Sequence, residues 1–189
     1  MSFEMKAILL GGLMALPSAV WAECPVAADV AHGVFLRTAD GSTELHRETA
    51  PGRLAVRIKF ADGEGSIMDY AHGLYAIGSV PVSQGVPQPG DTMVFTEARQ
   101  AMAWPAPKPN AKWVNKGKGG AKARSGQAAT VGIGACSYRG FDVTLEFTDE
   151  QGYSETYTYL PDLGIAMLIE TRDASGADRF TYVGIEKAE

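Results

Sequence analysis

The sequence has few cysteines, no known catalytic signature and, after residue 22, no long apolar run. A transmembrane helix needs about 20 consecutive apolar residues, and no later stretch provides them. There is no Gly-x-Ser-x-Gly nucleophile elbow, which disfavours the usual hydrolase arrangement. Gly132-Ile133-Gly134 lacks the third glycine of a dinucleotide site, and Gly117–Gly120 lacks the Ser or Thr of a phosphate loop. We therefore predict no catalytic residue, cofactor or metal, and a hydrolase is the least favoured class.

Cysteine occurs only twice, at Cys24 and Cys136, and no Cys-x-x-Cys motif is present. Two cysteines in an exported chain usually pair. The predicted Cys24–Cys136 disulfide would attach the start of the folded chain to a late strand. The alternative, a redox pair or a reactive thiol, is disfavoured by the missing motif.

The first 22 residues have the order of an export signal. A short polar start precedes ten apolar residues, Ala7–Leu16, and Val20 and Ala22 suit positions −3 and −1 of a cleavage site. We predict a signal peptide over 1–22, cleavage after Ala22, and a periplasmic or secreted single β-rich domain over 23–189. A lipoprotein signal fits poorly because Glu23 precedes Cys24; an uncleaved anchor is the other alternative.

Alternation of apolar and polar residues dominates the rest of the chain. Arg53–Phe60 and Gly140–Thr148 alternate as half-buried antiparallel strands do. Asp40-Gly41 between two strand-like runs predicts a two-residue hairpin turn. Pro25–His32 predicts a short helix that Gly33 ends. The predicted fold is mainly all-β: an antiparallel meander of eight or nine strands, curled into a barrel, half-barrel or sandwich, with a short N-terminal helix.

Acidic residues are absent from Ala98 to Phe141, a stretch that holds eight basic residues in a chain of net charge −5. Within it, residues 104–127 combine prolines, glycines and lysines and predict a long exposed loop. Such a loop suits an anionic membrane surface or an acidic protein; a merely solvated loop is the alternative. Nucleic acid is disfavoured by the export signal and the acidic body. The candidate anion-binding residues are Lys108, Lys112, Lys116, Lys118, Lys122 and Arg124.

A curled sheet of this size is able to enclose an apolar ligand. Tyr153, Tyr157 and Tyr159 alternate along one strand and share a face. The same side chains also make an ordinary core, which is the favoured interpretation of these residues by themselves. The predicted ligand-lining residues are Met68, Tyr70, Leu74, Tyr157 and Tyr159.

Two histidines have acidic neighbours. His46 lies between Glu44 and Glu48 on one strand face, which suits a metal ligand set, but a solvated polar face gives the same pattern and is favoured. His72 follows Asp69 and Tyr70, which suits a general base, yet a structural histidine is the simpler interpretation.

Four stretches carry a resemblance: Glu23-Cys24-Pro25, Ala71–Tyr75, Gly134–Tyr138 and Tyr159–Ile165. Together they resemble a group of small uncharacterised envelope proteins of Gram-negative bacteria. The turn at Tyr159–Ile165 is also similar to one in periplasmic half-barrels of the lipoprotein-carrier type. These resemblances imply a periplasmic location and a curled sheet, and neither implies a catalytic residue.

The sequence as a whole predicts a non-enzymatic exported protein that binds an apolar or lipid-like ligand in its curled sheet. The alternative is an interaction module that acts through the basic segment 104–127.

Overall fold

The computed structural model describes residues 23–188, and the predicted signal peptide with its cleavage after Ala22 lies outside them. Fifteen strands form two antiparallel sheets, which confirms the all-β prediction. In the described part of the chain neither sheet closes into a barrel, so a half-barrel or sandwich describes it. The described helices are the 3-10 turns Ala27–Ala31 and Pro89–Asp91 and the short helix α1, Ala98–Ala103.

The first sheet has the order β15-β1-β2-β3-β4-β5-β6, with β7 also paired to β5. The strands of this first sheet are β1 Val34–Thr38, β2 Thr43–Ala50, β3 Arg53–Lys59, β4 Gly65–Ala71, β5 Tyr75–Ser83, β6 Val86–Pro87, β7 Met93–Val94 and β15 Tyr182–Lys187. Strand β15 follows β14 in the chain, but it pairs with β1 and not with the second sheet.

The second sheet has the order β14-β13-β12-β11-β9-β8, with β10 also paired to β11. Most neighbours in both sheets are consecutive in the chain, as in a meander. Its strands are β8 Lys112–Val114, β9 Ala121–Ser125, β10 Ala129–Ile133, β11 Cys136–Phe147, β12 Ser154–Leu160, β13 Ile165–Asp173 and β14 Gly176–Arg179.

The turn between β1 and β2 contains Asp40-Gly41, as predicted, but it is longer than the predicted two residues. The Thr38 backbone N–H donates to the Ser42 carbonyl, which leaves residues 39–41 in the loop. Gly41 has a φ of +90°, a conformation that glycine adopts at little cost. The Asp40 carboxylate accepts hydrogen bonds from the Ser42 backbone N–H at 3.0 Å and its hydroxyl at 3.2 Å. These bonds hold the pKa of Asp40 below its usual value, together with a bond from the Thr38 hydroxyl, which is the largest cause.

The segment 104–127 is more ordered than the predicted loop, because it contains the β8–β9 hairpin. Strand β9 adds to the edge of β11, and its two alanines, Ala121 and Ala123, are buried in the core. Small side chains suffice there because the sheet hydrogen bonds, rather than apolar bulk, position the strand. Before this segment, the chain is extended at Met93–Val94, and α1 begins at Ala98.

Two buried clusters lie between the sheets. One contains Leu74, Phe141 and Tyr159, and the other contains Leu36, Ile133 and Ile165. The predicted disulfide is confirmed: Cys24 and Cys136 are bonded, and Cys136 is buried in the second cluster. It fastens the N-terminal segment to the start of β11.

Two tight turns bring the sheets into backbone contact. Gly73, between β4 and β5, lies against the carbonyl of Gly164, between β12 and β13. The Gly73 carbonyl oxygen accepts a hydrogen bond from the Ala166 backbone N–H at 3.2 Å. This contact is possible only because a glycine has no Cβ.

Candidate ligand-binding cavity

A cavity of about 730 Å³ lies between the two sheets. The first sheet supplies Glu44, Ile58 and Met68 to its wall, and the second supplies Leu145 and Glu155. Strand register explains the grouping: Glu44 is directly opposite Ile58, and Glu155 is directly opposite Leu145, so each pair shares a face. The cavity is therefore a product of both sheets.

Four of the five predicted lining residues, Met68, Tyr70, Leu74 and Tyr157, lie in the cavity wall. Tyr159 does not contribute to it. Its ring packs against Phe141 with centroids 5.6 Å apart, and it is only 7% exposed. The residue is on the predicted face but one step further along β12, within the packed cluster.

Glu44 is a carboxylate on the inner face of β2. It accepts a hydrogen bond from the Tyr182 hydroxyl at 2.8 Å, and its other oxygen lies 2.7 Å from Nε2 of His46. The Glu44 side chain is 15% exposed and His46 is 2% exposed. The predicted solvated face for this part of β2 is wrong, since only Glu48 of the three is exposed. The face turns inward because it lies opposite Leu36 and Val56.

Glu155 is the matching carboxylate of the second sheet. Its two oxygens accept hydrogen bonds from the hydroxyls of Tyr153, at 2.8 Å, and Tyr157, at 2.6 Å. Tyr153 directly precedes β12, and Glu155 and Tyr157 lie within it. All three side chains are on the inner face, because alternate residues of a strand share a face. The two tyrosine hydroxyls replace some of the hydrogen bonds to water that this half-buried carboxylate loses on folding.

Tyr70 lies close enough to both carboxylates to feel their charges. Burial raises its pKa well above the usual tyrosine value, and the negative charges of Glu44 and Glu155 raise it further. Burial and neighbouring carboxylates also raise the pKa of Tyr157 and of Tyr182. The hydroxyls of Tyr157 and Tyr182 are protonated donors to the carboxylates of Glu155 and Glu44.

Tyr75 contributes to another part of the wall. Its hydroxyl donates to the Pro105 carbonyl at 2.7 Å and accepts from Nε1 of Trp113 at 2.9 Å. Burial raises the pKa of Tyr75 to about 12, against smaller opposing effects of Asn115 and Trp113. The Asn115 side chain is near this hydroxyl, but among residues 23–188 neither of its amide atoms has a hydrogen bond of good geometry.

The charged groups around the cavity are mostly acidic. Lys118 is the one basic residue of the described lining, and its Nζ donates to the Val94 carbonyl at 2.7 Å. Against it stand five carboxylates, two on half-buried residues and three on exposed ones, so acidic side chains outnumber basic ones around the cavity. They belong to Asp40, Glu44, Asp149, Glu150 and Glu155.

The six candidate anion-binding residues are all exposed, but they do not form one cluster. Lys112 of β8 is directly opposite Arg124 of β9, and Lys122 lies further along the same outer face. Arg124 has a loose ion pair with Glu146 at 3.8 Å. Lys118 reaches toward the cavity instead, and Lys108 and Lys116 lie in the connections before and after β8. We use "basic hairpin" for residues 112–124.

His72 has a structural environment. Nε2 of His72 is 3.3 Å from the Met102 carbonyl, and its ring meets that of Tyr75 edge-on at 6.1 Å between centroids. Within the described range no group of three or more His, Cys, Asp or Glu side chains is arranged to hold a metal ion.

Sequence reasoning missed the two inward carboxylates. A signal was available for Glu155, because it interrupts a face otherwise made of Tyr153, Tyr157 and Tyr159. For Glu44 the signal was the pairing of its strand with Arg53–Lys59, whose apolar residues face it. Both glutamates occupy positions where alternation alone predicts an apolar residue.

In the part of the chain that the structure covers, no helix has the length and apolar character needed to span a membrane. Comparison of the chain with protein-family models, curated proteins and solved structures gave no match.

Proposed function

We propose that this is a non-enzymatic exported protein that binds a small apolar or lipid-like ligand in the cavity between its sheets. The observation that carries the proposal is the size and wall of the cavity. Its volume of about 730 Å³ falls within the range of roughly 300–1,000 Å³ typical of small-molecule sites. Apolar and aromatic side chains from both sheets make most of the wall.

An ordinary core is the competing interpretation of the same side chains. Protein interiors are close-packed, and voids larger than a water molecule are few. A space of this volume, partly open to solvent and lined by side chains of both sheets, is larger than the gaps that side-chain packing leaves and suggests a site. The export-signal pattern of residues 1–22 and the Cys24–Cys136 disulfide support an oxidising compartment such as the periplasm.

Filling the cavity should abolish ligand binding. In the double variant Met68→Trp/Leu168→Trp each sheet adds an indole to the wall, since both residues line the cavity. Affinity for the neutral apolar dye Nile red is expected to fall roughly tenfold or more, which corresponds to about 1.4 kcal/mol. Fluorescence titration measures this, and native mass spectrometry of the purified wild type tests for a co-purified ligand.

The control is Val86→Trp/Val183→Trp, which adds the same two indoles at positions that are 59% and 50% exposed. This variant is expected to bind Nile red as the wild type does. Equal affinity of wild type, filled variant and control would place the dye outside the cavity and contradict the proposal.

A second candidate function is docking to an anionic surface through the basic hairpin. The supporting observation is that Lys112, Lys122 and Arg124 share one exposed outer face, beside Val114, which is 56% exposed. Attraction to an anionic membrane amounts to about 1 kcal/mol per lysine near the surface. Membrane docking would also suit a protein with a lipid-like ligand.

Charge reversal tests this candidate without deleting paired strands. Lys112→Glu/Lys122→Glu is expected to reduce binding to vesicles containing phosphatidylglycerol about tenfold or more at low salt. The control Arg57→Glu/Lys59→Glu makes the same charge change at exposed positions of β3. Co-sedimentation that is equally weakened in both variants would indicate a general charge effect and count against the hairpin.

A further inference from the structure

We propose that the ligand of the cavity is an amphipathic organic cation, with an apolar body and a protonated amine that binds between Glu44 and Glu155. This inference rests on the proposed function and adds the charge of the ligand to it. The two carboxylates come from opposite sheets and line the same cavity, and each accepts a hydrogen bond from a tyrosine that also lines it.

The lining charges are the first argument. Five carboxylates and a single lysine line the cavity, and that lysine, Lys118, donates to a backbone carbonyl. A negative potential confined between low-dielectric walls attracts cations and repels anions. A free fatty acid or another anionic lipid is therefore disfavoured as the ligand.

The partners of the two inward carboxylates are the second argument. Among the described residues no lysine, arginine or histidine is within 4.0 Å of Glu155, which is held by tyrosine hydroxyls alone. Glu44 has one basic neighbour there, His46. Removing a carboxylate from water is unfavourable unless an opposite charge compensates it. A ligand ammonium would supply that charge.

The aromatic side chains of the cavity wall also suit a ligand ammonium. Tyr70, Tyr157 and Tyr182 all line the cavity. The Tyr157 hydroxyl donates to Glu155, and the Tyr182 hydroxyl donates to Glu44. A cation over a tyrosine face gains attraction from the negative ring face. Apolar and aromatic walls of this kind favour an organic cation over a hydrated metal ion.

An independent observation also indicates a missing polar partner. Asn115 lines the same cavity and is 1% exposed. Among residues 23–188, neither its amide donor nor its carbonyl acceptor has a hydrogen bond of good geometry, although the Tyr75 hydroxyl is near. Buried polar side chains are almost always satisfied, so this amide is open to a polar group on the body of the ligand, in the part of the wall to which Tyr75 contributes.

Three probes with the same number of carbon atoms separate the effect of charge from that of the apolar body. They are decylamine, which is protonated at neutral pH as a lysine is, neutral decanol, and anionic decanoate. Displacement of Nile red from the full mature protein gives each affinity. Decylamine is expected to bind about tenfold or more tightly than decanol, and decanoate most weakly.

The variants Glu155→Gln and Glu44→Gln remove one charge each with little change of shape. Each is expected to weaken decylamine binding roughly thirtyfold, as loss of one partner of a buried charge pair does. Decanol affinity should stay the same, which also shows that the variants are folded. The control Glu48→Gln, an exposed position on the same strand as Glu44, removes the same charge and should leave decylamine affinity unchanged.

The outcomes distinguish this inference from the proposed function. If Nile red binds in the cavity but decanol or decanoate binds as tightly as decylamine, the cationic ligand is overturned and the ligand-binding function stands. If decylamine is preferred but Glu48→Gln weakens it as much as Glu155→Gln, the preference comes from net charge, and the site is overturned. If Nile red does not bind the cavity, both fail.

Discussion

The Gly73→Ala variant is expected to lose more than about 4 kcal/mol of folding free energy, a loss seen for few single substitutions. A Cβ at this position would lie 1.9 Å from the carbonyl oxygen of Gly164, far inside contact distance. Gly73 also has a φ of +67°, which strains an L-residue by about 1–2 kcal/mol. The new Cβ and the Gly164 carbonyl oxygen both belong to tight turns, so the two sheets would have to separate to relieve the overlap. Urea unfolding followed by circular dichroism measures the loss.

Gly164→Ala is the matched control. Gly164 has nearly the same φ, +66°, but a Cβ there would meet nothing within 4 Å. Its expected loss is the conformational strain alone, about 1–2 kcal/mol. The difference between the variants therefore reports the close approach of the two turns. Equal losses would show that the sheets do not meet through Gly73.

Removal of the disulfide is expected to have the second largest effect. Cys24 and Cys136 are 112 residues apart, and closing a loop of that length stabilises the fold by about 4–5 kcal/mol in the loop-entropy model. For a domain of this size each kcal/mol shifts the melting temperature by about 2–4 °C, so a fall of roughly 10–20 °C is expected for Cys24→Ala/Cys136→Ala. Thermal unfolding monitored by circular dichroism measures it.

The wild type under reducing conditions is the control for side-chain loss. It keeps both sulfur atoms and should melt close to the double variant, because the cross-link rather than cysteine packing supplies most of the stability. A reduced wild type that melts as the oxidised one does would contradict this. A double variant that melts far below the reduced wild type would instead assign the effect to packing around buried Cys136.

Local physics made several elements predictable from the sequence. The Asp40-Gly41 turn needs only a residue pair that accepts its backbone angles, and the hairpin forms there. Alternation over Arg53–Phe60 corresponds to β3, and Tyr153–Leu160 corresponds to β12. In each case neighbouring residues contain the information. The disulfide was predictable because two cysteines offer a single pairing.

The basic hairpin and the interior carboxylates depend on distant residues. Strand β9 has only small side chains on its inner face, those of Ala121, Ala123 and Ser125, and its place is fixed by pairing with β11. Alternation indicates that Glu44 and His46 share a face, but which side of the sheet is covered depends on the second sheet. The same limit applies to Tyr159: its face was predictable, whereas its depth was not.

The pairing of β15 with β1 has a consequence for the order in which the molecule assembles. Val34 and Lys187 are partners in this pair, although almost the whole folded chain separates them. During synthesis one edge of β1 stays open until residues 182–187 have been made. Contacts of such long range slow folding, because the chain must close a large loop before they form. The first sheet therefore reaches its final width only when residues 182–187 pair with β1, and one edge of β1 lacks its hydrogen-bonding partner until then.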